Sequence, residues 1–338
     1  MRAALRQVVA AAVLPAADAP LFEAGLVATA RAVGLAPLLG ARLAQGTLAT
    51  RGPDQGDSAA ALLAAHRRCL ARELAREAAL APVLAALDAA GVPPLLLKGS
   101  ALLGSVYGPG ARPMSDVDLL VPARHFSVAL EVLRHLGGRA QRSVGRRLTD
   151  ALFHEVHVHL GGLALDLHRG LSPWPLFAVD HDGVLARAQR SPTGRLRPAA
   201  ADLLLHLAVH AAGDGFALSL RELVDGLLIV SQLRPAPEEV IARAVAWRAR
   251  KATATLLDVL ASAGLSDPAW RAAARSLHQG GARTALARRA LADELPPGHH
   301  TSWRRRRRML RAADAPLRAL GLVVLRGALR AGDAVLPR

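Results

Sequence analysis

Leu95-Leu96-Leu97-Lys98-Gly99-Ser100 and, fifteen residues further on, Asp116-Val117-Asp118-Leu119-Leu120-Val121 are the stretches on which the reading of this chain turns. Each is a short apolar run bounded by Gly or Pro, the pattern of a buried strand. Gly99-Ser100 breaks the first run and opens a short helix reaching about Tyr107. Gly108-Pro109-Gly110 breaks that helix, and Pro122 ends the second strand. On a strand, side chains two apart share a face, with α-carbons about 6.5–7 Å apart. Asp116 and Asp118 would therefore point the same way, and two such carboxylates can reach a pair of hard cations about 3.5–4 Å apart. Magnesium takes oxygen ligands of this kind together with substrate phosphates.

A third carboxylate comes from further along. Phe153–Leu160 and Leu163–His168 are strand-like runs around Gly161-Gly162, and a Gly-Gly pair supplies the positive φ angles of a tight hairpin turn. If that loop has two residues, Leu160 faces Leu163, His157 faces Asp166 and Glu155 faces His168. Directly opposed residues share a sheet face, so Glu155, His157, Asp166 and His168 form one polar cluster. Asp166 is the candidate third metal ligand and helps deprotonate an acceptor hydroxyl. At Gly99-Ser100 the backbone can approach a phosphate and free helix N–H groups can meet it. Lys98 and Arg112 are the nearest basic side chains to assist. The stretch is not a P-loop, because G-x-x-x-x-G-K-[ST] is absent.

Singly, each signal is weak. An Asp-x-Asp pair alone suits a solvated loop or strand edge equally well. The order strand, Gly-Ser, helix, Asp-x-Asp strand, hairpin, Asp strand is the specific feature. Leu97-Lys98-Gly99-Ser100, Tyr107, Arg112-Pro113-Met114-Ser115-Asp116-Val117-Asp118-Leu119-Leu120-Val121 and Asp166-Leu167-His168 together resemble the uncharacterised nucleotidyltransferase family within the DNA polymerase β superfamily. Arg197-Pro198, Leu203–His210 and Arg221–Asp225 extend the likeness, which covers about residues 80–235. The resemblance implies an α+β fold, a small mixed sheet flanked by helices, with magnesium dependence and transfer of a nucleoside monophosphate from a nucleoside triphosphate. It implies Asp116, Asp118 and Asp166 as catalytic metal ligands, and Lys98, Gly99, Ser100, Arg112 and His168 on the nucleotide side. It leaves the acceptor open: small molecule, protein or RNA. One departure stands out. The superfamily places Gly-Ser closer to Asp-x-Asp than fifteen residues, and Gly104-Ser105, ten residues away, meets that spacing better. Position favours Gly99-Ser100, which directly follows a strand, whereas Gly104-Ser105 is expected inside the helix with its amides already bonded.

The rest of the chain reads as helical. The 338 residues are 52% hydrophobic and 3% aromatic, rich in Ala and Leu, enough for a sizeable core with helical additions. Asp57 or Ser58 caps a long helix with apolar positions Leu62, Leu63, Leu70, Leu74, Leu80, Val83, Leu84 and Leu87; Pro82 lies within it and Gly91 stops it. We expect an N-terminal helical region at 1–90, a catalytic core at 91–195, a helical domain at 196–300 with a break at Gly280-Gly281, and a basic segment with a tail helix at 301–338. His206 and His210 share a helix face but lack the Glu of H-E-x-x-H. Arg221 and Asp225, at i and i+4, read as an ion pair. His154, His157, His159 and His168 suggest zinc by density, but strand alternation divides them between two faces, so pairing with neighbouring carboxylates is preferred.

Charge and cysteine content bound the partners. The net charge is +16, and lysine occurs only at Lys98 and Lys251. A basic chain attracts polyanions, and Arg304, Arg305, Arg306, Arg307 and Arg308 could meet an anionic surface. The alternative reading is accordingly a catalytically inactive member of the fold that engages RNA or an anionic membrane through this basic tail. A single cysteine, Cys69, excludes an intramolecular disulfide and fits a cytoplasmic location. Arg6 and Gln7 fall where a signal peptide's apolar run would begin, so Met1–Ala17 reads as an amphipathic first helix. No transmembrane segment is expected.

Overall fold

A computed structural model of the chain describes residues 3–15, 21–140, 155–172, 176–278 and Asp314. His154, the Gly280-Gly281 break, the five-arginine block and the tail helix lie outside the described residues.

The fold is α+β. Helices α1 (Ala3–Val13), α2 (Val27–Ala32) and α3 (Ala36–Ala44) precede α4 (Gln55–Ala89), with a small parallel pair formed by β1 (Phe22–Glu23) and β2 (Thr50–Arg51). The central sheet follows: β3 (Leu95–Leu96), β4 (Val117–Leu120), β5 (Arg139–Ala140), β6 (Glu155–Leu160) and β7 (Leu163–His168), ordered β3-β4-β7-β6-β5. Only the β4–β7 pairing is parallel, so the sheet is mixed. Helices α5 (Lys98–Leu102) and α6 (Phe126–His135) lie within this segment. After it come α7 (His181–Ala186), an antiparallel pair β8 (Gln189–Arg190) and β9 (Leu196–Arg197), and the helices α8 (Ala200–Gly213), α9 (Leu220–Leu228), α10 (Pro237–Ala246), α11 (Arg250–Ala263) and α12 (Pro268–Leu277).

Local chemistry explains the boundaries that matter. Gly91 takes φ 72° just past α4, with Val92 N–H donating to the Leu87 carbonyl and Gly91 N–H to that of Asp88. This is the two-bond Schellman stop that favours glycine. Gly161 and Gly162 adopt φ 52° and 85°, and the hairpin has the expected register: His157 opposite Asp166 and Glu155 opposite His168. Ser219 and Glu222 form a reciprocal capping box at the start of α9.

Four expectations need correction. Helix α4 starts at Gln55 with Asp54 at its N-cap position, so Asp57 and Ser58 lie within the helix and do not cap it. Helix α5 ends at Leu102 rather than near Tyr107, because Leu103 is extended (φ −65°, ψ 137°) and Gly104 turns with φ 71°. Gly104-Ser105 is therefore in a turn, not within a helix. Its amides are nonetheless bonded, to the carbonyls of Tyr107 and Leu102. On α4 the buried line is Leu62, Ala65, Cys69, Glu73, Leu80, Val83 and Leu87, while Leu74 is 61% exposed. At 3.6 residues per turn, Leu74 points roughly 120° away from Leu62, whereas Cys69, Glu73, Leu80 and Leu87 return to within about 20° of it. Finally, β4 pairing begins at Val117, so Asp116 sits just ahead of the strand.

Candidate active site

The sheet register builds the site. Asp118 on β4 lies beside Asp166 on β7, which lies beside His157 on β6. One step along, Leu120, His168 and Glu155 form the next row. Alternation puts Val117, Leu119, Leu165 and Leu167 on the opposite, apolar face, all buried in the core. The apolar half of each strand thus fixes the direction of the polar half.

Asp118 is the most buried of the three site aspartates. His168 Nε2 lies 2.9 Å from its Oδ1 and Lys98 Nζ 2.7 Å from the same oxygen. Burial acts to raise its pKa. The His168 hydrogen bond and the Lys98 charge overcome that and hold it well below the usual carboxylate range. Burial alone would lower the Lys98 pKa, and the Asp118 charge reverses it, so the ammonium stays charged. His168 reaches Glu155 with its other nitrogen, at 3.5 Å from Oε2. Asp166 accepts from His157 at 2.5 Å. Its pKa is raised, mainly by burial, with the charges of Asp118 and Asp116 adding to the effect and His157 opposing it. Asp116, half-buried and next to Ser115 Oγ at 3.2 Å, thus shares an electrostatic field with the other two carboxylates.

Among the described residues, Asp118, Asp166 and His168 form the group whose ligand atoms lie within 4.8 Å of one another. Asp116 flanks this group and does not belong to it. Gly99 and Ser100 are in the first turn of α5, next to Lys98, whose backbone adopts φ 46°. A Cβ at Gly99 would come within 2.9 Å of Met114 Sδ and 3.4 Å of Arg112 Cζ, so a larger residue there would push on the Met114 side chain.

Arg112, expected on the nucleotide side, is held by an ion pair with Asp225. Its Nε and Nη2 donate to the two Asp225 oxygens at 2.9 and 2.7 Å, and its Nη1 donates to the Pro113 carbonyl at 2.7 Å. Asp225 therefore pairs with Arg112 and not with Arg221, which instead donates to the Pro113 carbonyl at 3.2 Å. The local i, i+4 spacing concealed this partnership. Sequence reasoning also missed Glu73, which accepts from Gly110 N–H at 2.9 Å, and Arg76, which donates to the Met114 carbonyl at 2.9 Å. A glutamate on the Leu62–Cys69–Leu80 line was the available signal. His206 is buried on α8. Burial foremost, then the charges of His210, Lys98 and His168, keeps it neutral.

The model of a family described as uncharacterised nucleotidyltransferase matches residues 23–263. The chain belongs to this family. No curated protein matches the chain. Among solved structures, the solution structure of the antibiotic-resistance factor ANT(2'')-Ia is similar at 17% identity and a TM-score of 0.39, covering 53% of this chain and 94% of that one. The crystal structure of ANT(2")-Ia in complex with adenylyl-2"-tobramycin gives 17% identity and a TM-score of 0.35, covering 50% of this chain and 94% of that one. No helix among the described residues is long and apolar enough to cross a membrane.

Proposed function

We propose that this chain is a magnesium-dependent enzyme that transfers a nucleoside monophosphate from a nucleoside triphosphate to an acceptor hydroxyl or phosphate, releasing pyrophosphate. The observation that carries the reading is the convergence of Asp118, Asp166 and His168 on one buried sheet face. In a chain of nucleotidyltransferase lineage, that face adjoins the Gly99-Ser100 turn.

The donor set suits a hard cation. Asp118 is ionised, Asp166 is beside it, and Asp116 lies within the same field. His168 already bonds Asp118, so we assign it to orienting that carboxylate and leave the metal to oxygen ligands. Magnesium, when bound, supplies charge neutralisation and alignment at the triphosphate. Asp116 and Asp118 hold it, with Asp166 completing the set. Asp166 also accepts the acceptor's proton, a task suited to a carboxylate whose basicity burial has raised. His157 fixes the orientation of Asp166. Lys98, Gly99 and Ser100 meet the phosphates: Gly99 lets the backbone approach, and Lys98 brings the positive charge. Catalysis is then positioning plus charge compensation.

The test is transfer of label from nucleoside triphosphates carrying a radioactive α-phosphate into small-molecule, protein and RNA fractions. Wild type should label one fraction in a magnesium-dependent manner, and Asp116→Ala should abolish labelling while remaining folded. Labelling near the wild-type level by Asp116→Ala would sink the reading.

A further inference from the structure

The segment between Tyr107 and Ser115 has no regular structure, yet it is gripped from two sides. From the N-terminal side, α4 supplies Glu73 to the Gly110 N–H, Arg76 to the Met114 carbonyl, and His66, whose Nδ1 lies 3.2 Å from the Gly110 carbonyl. Gly110 is at φ 70°, and a Cβ there would meet Leu70 Cβ at 2.7 Å, so the segment lies tightly against the helix. From the C-terminal side, α9 supplies one carboxylate. Asp225 takes the Arg112 fork through both oxygens and the Tyr107 hydroxyl at 2.6 Å. All three side chains are buried or nearly so, with side-chain exposures of 11% for Arg112 and 7% for Asp225.

The segment transmits this grip to both halves of the site. Met114 and Arg112 pack over Gly99: a Cβ built there would lie 2.9 Å from Met114 Sδ and at ordinary contact distance, 3.4 Å, from Arg112 Cζ. Ser100 Oγ lies 3.9 Å from Met114 Sδ. Two residues past Met114 the chain reaches Asp116, ahead of the first paired residue of β4. Asp116 has no ladder to hold it. Its position is inherited from Pro113 and Met114, whose carbonyls accept from Arg112, Arg221 and Arg76.

Building on the site reading above, we propose that Asp225 is a positioning residue for the metal site, acting through Arg112 and Tyr107. A carboxylate on a helix far downstream in the chain sets where Asp116 and the Gly99-Ser100 turn lie. Asp225 touches neither metal nor nucleotide. Its fork with Arg112 supplies direction as well as charge, because the planar guanidinium accepts few orientations when bound through two bonds.

The test compares two buried aspartates. Asp202 is fully buried and pairs with Arg187 and Arg243, whereas Asp225 pairs with the 107–115 segment. Asp202→Asn therefore reports the general effect of breaking a buried ion pair. Manganese titrations followed by electron paramagnetic resonance, with thermal melts in parallel, are run on wild type, Asp118→Asn, Asp225→Asn, Arg112→Lys and Asp202→Asn. Loss of an outer-shell partner weakens metal binding about 10–100-fold, so Asp225→Asn and Arg112→Lys should lose at least about tenfold in manganese affinity. Asp202→Asn should melt earlier and bind manganese as wild type does. If Asp225→Asn does not fold, Arg112→Lys, which keeps the charge and loses the fork, becomes the deciding variant. Manganese affinity in Asp225→Asn or Arg112→Lys equal to that of Asp202→Asn overturns the inference. If wild type fails to bind manganese, or Asp118→Asn binds it equally well, the site reading itself fails, which is a different result from failure of the Asp225 link alone.

Discussion

Replacing Lys98 with methionine should destabilise the metal-free protein and spare the metal-loaded one. Lys98 Nζ sits 2.7 Å from Asp118 Oδ1, with the lysine 29% and the aspartate 5% exposed. Removing one partner of a buried ion pair costs about 3–5 kcal/mol. Here the lysine keeps some water and Asp118 keeps its bond to His168, so we expect about 2 kcal/mol after that discount. For a chain of 338 residues the melting temperature should fall by about 3 °C in EDTA. The sign with pH follows from Asp118, whose folded pKa is depressed. Such a carboxylate contributes stability above its unfolded pKa of about 3.9, and the contribution is lost as pH falls through the folded value. The deficit of Lys98→Met should therefore be present at neutral pH and shrink in strong acid. Saturating magnesium replaces the lost positive charge at Asp118 and should narrow the gap between variant and wild type. Differential scanning calorimetry in EDTA and in magnesium, at neutral and acidic pH, reads all of this. A variant as stable as wild type in EDTA, or a gap that magnesium leaves untouched, would mean that Lys98 does not stand in for the cation at Asp118.

Other outcomes follow from the same geometry. His206 has a folded pKa well below its ordinary value because it is buried. The unfolded chain then binds the extra proton, so metal-free stability should fall by up to about 1.4 kcal/mol per pH unit below about 6.5. His206→Leu should flatten that slope in melts taken between neutral and mildly acidic pH, and an unchanged slope would contradict it. Gly110→Ala forces a side chain to φ 70° against Leu70 and His66. It should cost about 1–3 kcal/mol, read by urea unfolding, and weaken manganese binding alongside Asp225→Asn; wild-type stability would count against the close packing.

How much of this was legible in the sequence varied with the range of the interaction. The hairpin was readable because Gly161-Gly162 fixes a two-residue turn, and side-chain alternation then dictates which residues meet. That put His157 on Asp166 and His168 on Glu155 from sequence alone. The Schellman stop at Gly91 was readable for the same local reason. The long helix was readable as a helix, and Leu62, Leu80, Val83 and Leu87 do face inward as expected, but Leu74 does not. Leu74 looks like core by composition, while helix geometry turns it outward and turns Glu73 inward. Least legible were the long-range pairs. Arg221 and Asp225 offered a ready local ion pair, and nothing in periodicity indicates that Asp225 instead reaches Arg112, 113 residues earlier. Lys98 was placed near phosphate from its position before Gly99. Its bond to Asp118 depends on a left-handed backbone at Lys98 that the sequence does not announce.

The most direct test of nucleotidyl transfer at this site is calorimetric titration of each of the four nucleoside triphosphates, with and without magnesium, into wild type and an Asp116→Ala/Asp118→Ala variant. Wild type should bind at least one of them in the presence of magnesium, and omitting the metal or both carboxylates should abolish that binding. Magnesium-independent binding, equal binding by the folded double variant, or no binding by well-folded wild type would contradict a metal-dependent nucleotide site here.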